Sequence, residues 1–483
     1  MQNFHYQLIS NMKKLRINPL FTIIIILSPL IVYWLTLLLP TFDDWWYFTT
    51  PDFYFGEHFY DYLIPRWSYW RPWDCLIGYI LSLKPSWFPT FNHIIIYCAH
   101  IGGTFIVYYI AKELKFKLFA CNISALYYFI SPGMLGTVLA IDSVNQAYSA
   151  FWGLLSTLCY IGVKKRNYNV ILWLTFATIG TFAKENAIVF FVVPQIIAFV
   201  FKHITLRKAI KDTLWAFIII CIYFIIRLLL TTDVVEYFPA YFDNSLLLRI
   251  KFICVFLGLT WIPIDYISLA YPPTRNLLIT FITLLFSMPF LITLFANKKK
   301  YWKNMQFACL VICMLLTALI HLTTLYSSMH TYASLGMAAL IIGYMADKSE
   351  RISMLRKMLP FFIISCIFID WHHWQKSYES GLIGKRMAQD IINSTPKPVN
   401  NVYLIVVKDE LPKYATFCVI PRDAFGNGKS VCYFNEYKWP KNIEILEIEE
   451  NETYKIYSIA NKAIQNNYEA VWLIRKDSAT VIR

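Results

Sequence analysis

Twelve apolar runs divide the chain between residues 19 and 372, most of them near the roughly 20 residues a helix needs to cross a bilayer. They cover about 19–40, 92–111, 118–133, 145–163, 168–183, 187–201, 213–231, 248–270, 276–297, 306–325, 332–346 and 359–372. The connections between them alternate. Those carrying Lys13/Lys14/Arg16, Lys112/Lys115/Lys117, Lys164/Lys165/Arg166, Lys202/Arg207/Lys208, Lys298/Lys299/Lys300 and Arg351/Arg356/Lys357 are basic, and the others are poor in lysine and arginine. Short cytoplasmic loops collect basic residues, so the pattern predicts a cytoplasmic N-terminus and an outward-facing first loop over 41–91. Parity breaks once, because a full crossing by 248–270 would carry Lys298–Lys300 outside. Pro263 and the Tyr271-Pro272-Pro273 stop interrupt that run. Proline removes a backbone donor, and such backbone survives at membrane depth only when shielded by protein or water. The expectation is an all-α polytopic membrane domain over 1–375, with about eleven transmembrane helices plus one re-entrant or interfacial segment.

Past Trp374 the pattern shifts to alternation. Val402–Val407, Ile443–Ile448 and Ala470–Ile474 read as strands, and Thr453–Gln465 has helical spacing. These predict a small α/β domain over 396–483 on the outer side. Cys418 and Cys432 fall in it, in an oxidising compartment, where they either pair or stay free.

Composition agrees with the pattern: 58% of the 483 residues are apolar and 15% charged, more apolar than a soluble globular surface needs. A net charge of +14 would suggest nucleic acid in a soluble chain, but here topology accounts for it, and no nucleic-acid partner is expected. The eleven cysteines are scattered, mostly within apolar runs, with no spacing that would close a metal site. The first run exceeds a signal-peptide core and no small-x-small cleavage site follows it, so it is expected to stay in the mature protein.

Against this background a few charged residues stand out. Asp43-Asp44-Trp45-Trp46-Tyr47 follows the first run on the outer face. Trp and Tyr suffice to anchor a helix end, so two adjacent carboxylates there have no evident structural task. The first loop also holds Arg66-Trp67-Ser68-Tyr69-Trp70-Arg71-Pro72-Trp73. A guanidinium at headgroup depth holds a phosphate through paired hydrogen bonds, although aromatic belts with arginines beside them commonly bind bulk lipid. Lys184-Glu185-Asn186 forms a charged step between two closely spaced runs; it is either a solvated turn, with Lys184 and Glu185 paired to each other, or a phosphate contact by Lys184 in which Glu185 orients Arg71 or the acceptor. Arg227, near the outer end of its run, either snorkels to the headgroups or faces a pathway. Asp142 and Asn145 lie at the third outer turn, and Asp142 keeps functional weight. His93 and His100 share a helix face seven residues apart, too far for ordinary bidentate ligation; they read as helix-packing contacts, as do His321 and His330.

The order and common side of these motifs resemble the GT-C class of integral-membrane glycosyltransferases, which use a polyprenyl-phosphate-linked sugar as donor. In that class a first-outer-loop acidic pair supplies the catalytic carboxylate, which the resemblance maps onto Asp43 and Asp44. Tyr69-Trp70-Arg71-Pro72-Trp73, Phe91-Asn92-His93 with His100, and Lys184-Glu185 are similar to motifs of the branch containing the transmembrane-and-tetratricopeptide mannosyltransferases. Trp70 departs from the Tyr usual before Arg-Pro, and an α/β tail replaces helical repeats, departures that bear on the acceptor more than on the chemistry. The resemblance implies an inverting transfer at the outer face. Asp43 or Asp44 acts as base, Arg71, Lys184 and Arg227 hold the donor phosphate, and Glu185, Asp142 and Arg66 support them. The partners it implies are the lipid-linked sugar, membrane lipids and an acceptor protein, lipid or glycan. No metal ligand is assigned; a divalent ion bridging the acidic pair and the phosphate is left open, because members of the class differ on it. A flippase, transporter or polymerase of lipid-linked glycans is the competing class. Transporters usually carry charges inside their spans and show internal repeats, neither of which is conspicuous here.

A cysteine at position 43 is expected to react with membrane-impermeant maleimide from outside, and one at position 165 only from the cytoplasm. The reverse pattern in oriented vesicles would invalidate the site assignment.

Overall fold

The computed structural model describes residues 18–41, 44–45, 70–162, 166–230, 245–270, 275–296, 301, 303–323, 327–395, 397–408, 424–436, 438–476 and 478–482. Asp43, Arg66, Tyr69 and Cys418 lie outside them. Helix α1 (Pro19–Thr36) starts at Asn18, whose side chain accepts the Leu20 N–H at 3.1 Å and donates to Asn122 Oδ1 at 2.7 Å. Pro19 takes the first helical position, where a missing donor is tolerated. Then come α2 (Pro72–Leu83), α3 (Thr90–Glu113) and α4 (Leu118–Ile130). Helix α4 bends by 48° into Pro132–Val138, whose last turn is α5 (Leu135–Val138). Helices α6 (Val144–Gly162) and α7 (Arg166–Ala183) lead to a 3₁₀ segment over Glu185–Phe191 and to α8 (Val193–Val200). The helical part finishes with α9 (Leu206–Leu230), α10 (Leu246–Trp261), α11 (Tyr266–Ala270), α12 (Leu277–Phe295), α13 (Met305–Leu319), α14 (Thr331–Lys348) and α15 (Ile352–Ser394).

Helix α14 is the hub. Every residue from Thr331 to Asp347 is buried, and its Ala, Gly and Ser positions let α4, α6 and α13 approach closely, as small residues do between membrane helices. The periphery is the reverse. Ile23, Ile25 and Ile26 of α1, Leu214, Phe217 and Leu228 of α9, and Leu278, Phe281 and Leu285 of α12 are exposed, an apolar rim that a bilayer would cover.

Six helices among the described residues are long and apolar enough to cross a membrane, or seven if the bent pair after Leu118 is one span. The other runs fall short of that length and apolarity for local reasons. Helix α6 carries Asn145, Gln146, Ser149, Ser156 and Thr157 inward, and α14 is rich in small and polar residues, which lowers the apolarity of both. The run at 187–201 splits into a 3₁₀ segment and an eight-residue helix. The run at 248–270 breaks, as its proline suggested, with α10 ending at Trp261 and Pro263 lying in the gap before α11.

Helix direction sorts the charges. Lys112 ends α3, Lys348 ends α14 and Lys208 begins α9. The Lys117 N–H donates to Asp347 Oδ1 at 2.8 Å and its Nζ to the Asp347 carbonyl at 3.2 Å, tying that side together. The candidate site residues sit at the other ends of the same helices: before α2, at the start of α3 and α6, after α7 and near the end of α9.

Helix α15 is 43 residues long, about 65 Å at 1.5 Å per residue, so it outlasts any hydrocarbon layer and runs on to a four-stranded sheet. The strands are β1 (Asn401–Val407), β2 (Asn442–Ile448), β3 (Ala470–Arg475) and β4 (Ser478–Val481), in the order β2-β1-β3-β4. β1 pairs in parallel with β2 and β3, and β3 pairs antiparallel with β4. Alternation along β1 explains the two cores. Val402, Leu404 and Val406 meet Met387, Ala388 and Ile391 of α15, while Ile405 and Val407 meet Ile456, Ala460 and Ala463 of the helix over Ile456–Gln465. The first three strands match the expected ones within a residue; β4 is an addition, too short to stand out in the sequence.

A buried ionic cluster locks the broken segment to α15. Asp265 accepts from His372 Nδ1 (2.6 Å), His373 Nε2 (3.0 Å) and Ser268 Oγ (2.8 Å), and its side chain is fully buried. Asp265→Asn leaves two histidines facing an amide and is expected to cost about 3 kcal/mol or more, read as a lowered midpoint of thermal unfolding in detergent.

Candidate active site

Among the described residues, the charged ones singled out in the sequence meet in one continuous cluster. At one end, Asp44 lies in the connection after α1, 5% exposed. Its Oδ2 accepts the Thr41 N–H at 2.9 Å, and its Oδ1 accepts the N–H groups of Ile141 and Asp142 at 2.8 and 2.9 Å. The Ile141 peptide is held from its other side by Asn92 Nδ2, 3.2 Å from the carbonyl. Burial, and after it the Asp142 carboxylate, push Asp44 well above the usual carboxylate range, against three main-chain donors that favour the anion. Burial raises Asp142 too, opposed by the Lys184 ammonium and by Ser143 Oγ, which donates to it at 3.2 Å. Two acids so arranged hold a proton more readily than isolated ones, as acid–base chemistry near neutrality requires.

Lys184 bridges this pair to the cations. It stands in extended backbone (φ −157°, ψ 141°) at the break between α7 and the 3₁₀ segment, so the Lys-Glu step is a discontinuity between helices rather than a turn in solvent. Glu185 follows and holds Arg71, whose Nε and Nη2 donate to one carboxylate oxygen at 3.1 and 3.0 Å. Both side chains are about three-quarters buried. Burial alone would lift Glu185, but the Arg71 guanidinium, with Arg227 behind it, holds it below its ordinary value. Arg71 takes the position before Pro72, at the start of α2. Arg227 reaches the cluster from α9, near the Tyr223 hydroxyl one turn earlier; the Tyr223 ring stacks on Trp70 with centroids 5.4 Å apart.

His321 and His330 do more than the helix packing expected of them. Their ring centroids lie 4.2 Å apart, the planes tilted by 32°, beside Lys184 and Arg71. His330 Nδ1 accepts the Ser327 N–H at 3.0 Å, which leaves any proton of the neutral ring on Nε2. Burial first, then His321, Lys184 and Arg71, push His330 well below the usual histidine range. The turn carrying it is seated on Gly136, where a Cβ would run into the backbone of Ser328 and Met329. His100 does serve packing, between Tyr332 Oη (3.0 Å) and the Phe129 carbonyl (3.1 Å).

Among the described residues, then, Asp44, Asp142, Lys184, Glu185, Arg71 and Arg227 come together, while Asp43 and Arg66 fall outside them. The sequence reading missed Asn92 and Tyr223 as supports and the two histidines as members. No group of three or more His, Cys, Asp or Glu among the described residues is arranged to hold a metal ion.

No family model matches the chain, and no curated protein does. Among solved structures it is similar to the archaeal oligosaccharyltransferase AglB from Archaeoglobus fulgidus, in complex with an inhibitory peptide and a dolichol-phosphate, with 11% identity over 88% of this chain and 67% of that one and a TM-score of 0.44. A likeness of that degree decides nothing about chemistry, which rests on the side chains of the cluster.

Glu185→Gln leaves the Arg71 guanidinium with a weak acceptor and is expected to destabilise the protein by about 1–3 kcal/mol at neutral pH, discounted for partial exposure. Because the folded state lowers the Glu185 pKa, its contribution is present above the unfolded value and lost as pH falls through the folded one. The gap in unfolding temperature between variant and wild type should therefore narrow on acidification; a gap independent of pH would contradict the ion pair.

Proposed function

We propose that this protein is an inverting membrane glycosyltransferase that moves a sugar from a polyprenyl-phosphate carrier to an acceptor hydroxyl or amide at the outer face of the membrane. Residues 1–375 would form the transferase domain and 396–483 an outer domain. The observation that carries the reading is the continuity of the cluster: acids with raised proton affinity at one end, three cations at the other, joined through Lys184. Such a reaction needs both. One of the carboxylates, Asp44 or the neighbouring Asp43, takes the acceptor proton as the acceptor atom bonds to the anomeric carbon. The bond from that carbon to the phosphate oxygen breaks on the opposite side, and the phosphate leaves with an added negative charge.

Arg71, Lys184 and Arg227 are there to meet that charge, already oriented by Glu185, Asp142 and Tyr223, so little reorganisation accompanies departure. Among the described residues three carboxylates balance three cations in the resting cluster; a proton retained on the Asp44–Asp142 pair tips that balance positive, which suits an anionic donor. His330, held below the usual histidine range by burial and the neighbouring cations, adds hydrogen-bonding capacity beside them without adding charge. The sorting of basic clusters to the far helix ends supports an outward-facing site through the positive-inside rule. A transport path would instead distribute its charges through the depth of the spans.

The test is sugar release and transfer by the purified protein on a panel of polyprenyl-phosphate sugars. Asp44→Asn is expected to lower turnover by about 100-fold or more with folding intact, and Arg71→Lys, which keeps charge but loses the fork, by about 10-fold or more. Undiminished turnover in Asp43→Asn, Asp44→Asn and Asp142→Asn alike would remove the proposed base.

A further inference from the structure

The proposed chemistry makes no use of the residue after Asp44, yet Trp45 is among the most deeply buried side chains of the protein, 1% exposed. Its surroundings come from the far end of the chain. The indole Nε1 donates to the Ala424 carbonyl at 3.3 Å, across 379 residues of sequence. Its ring lies where a Cβ on Gly426 would fall, and Gly426, Asn427 and Gly428 adopt left-handed backbone in succession (φ +60°, +52°, +89°), bringing main chain against the indole. Tyr433, in the helix over Lys429–Phe434, meets the Trp45 ring edge-on at 5.7 Å and the Phe88 ring at 6.0 Å, and its hydroxyl donates to the Phe88 carbonyl at 3.5 Å. Helix α15 completes the seat. A Cβ on Gly381 would stand 2.8 Å from that of Leu39, and Gly384 lies against Ala424. The segment before Asp44 and the residue after it are both held by parts of the chain beyond residue 380.

We propose that the C-terminal α/β unit is a positioning element for Asp44: by seating Trp45 on Gly426 it fixes the neighbouring carboxylate on the Ile141 and Asp142 amides. Adjacent residues share a planar peptide and differ by only two soft dihedrals, so a fixed Trp45 leaves the Asp44 side chain little room. A base misplaced by about 1 Å loses on the order of 100-fold in rate. The catalytic consequence rests on the glycosyltransferase reading; the mechanical one does not. Trp45 is thus a positioning residue, and the tail is part of the site's construction although its described residues contribute none of the site's charges.

The experiment compares the full-length variants Gly426→Ala, Trp45→Phe, their combination and Gly428→Ala. Amide hydrogen exchange is followed at 141–142 together with kcat and KM for the lipid-linked sugar. Gly426→Ala drives a methyl into the indole and is expected to speed exchange at 141–142 and to lower kcat by about 100-fold, with KM within about twofold. Trp45→Phe removes the bond to Ala424 and should speed exchange by less. In the double variant the ring, smaller and released from its bond to Ala424, can turn away from the methyl, so both readouts should recover above Gly426→Ala alone. Gly428→Ala introduces comparable strain in the same turn but faces Ile443 rather than Trp45, and is expected to leave exchange at 141–142 as in the wild type.

Unchanged exchange in Gly426→Ala and Trp45→Phe, an equal effect in Gly428→Ala, or no recovery in the double variant would each overturn the proposal. Exchange that follows the expected order in a protein with no transferase activity at all would uphold the clamp and remove the enzymatic reading instead.

Discussion

The site depends on one carboxylate held by main chain. Asp44 accepts three N–H groups, two of them from the turn at Ile141–Asp142, and a donor of that kind exists only where the backbone has been folded to present it. The turn is secured in its own right: Asn92 at the start of α3 binds the Ile141 carbonyl, and Ser143 faces Gly136. Remove any of these and the acid keeps its identity but not its direction. A buried carboxylate beside a second one is tolerable only because those donors and Lys184 offset the desolvation, which leaves it poised rather than simply ionised.

At the cationic end the same physics runs with opposite sign. Arg71 and Glu185 are largely withdrawn from water, where a guanidinium with two bonds to one carboxylate oxygen has its plane fixed. The break at Lys184 makes this geometry available. An uninterrupted helix would spread Lys184 and Glu185 around its circumference, whereas the extended residue lets one face Asp142 and the other Arg71.

Much of this was legible in the sequence because charge is scarce in it. With 15% charged residues, an Asp-Asp, an Arg-Pro and a Lys-Glu near the ends of apolar runs draw attention at once. The strands of the tail were readable because Val402–Val407 fills both faces of a central strand. The features that escaped did so for identifiable reasons. Main-chain donors at Ile141 and Asp142 have no residue signature. His321 and His330 are nine apart and meet only because a 3₁₀ turn folds the second back over the first. The hub character of α14 was written in its alanines and glycines, yet a hydropathy window weighs composition rather than direction, so buried and lipid-facing helices looked alike and were counted alike.

The unbroken course of α15 imposes a rule of phase on the protein. Every residue inserted into or deleted from a helix turns the remainder of the chain by about 100° and shifts it along the axis by about 1.5 Å. Between the apolar half of α15 and the face that carries Gly381 and Gly384, one residue more or less would swing the sheet around the axis and away from the first loop. Even seven residues, which restore the phase to within about 20°, would carry the sheet about 10 Å along the axis and off Leu39 and Trp45, so the number of residues in this rod is as much a part of the chemistry as any charge it aligns.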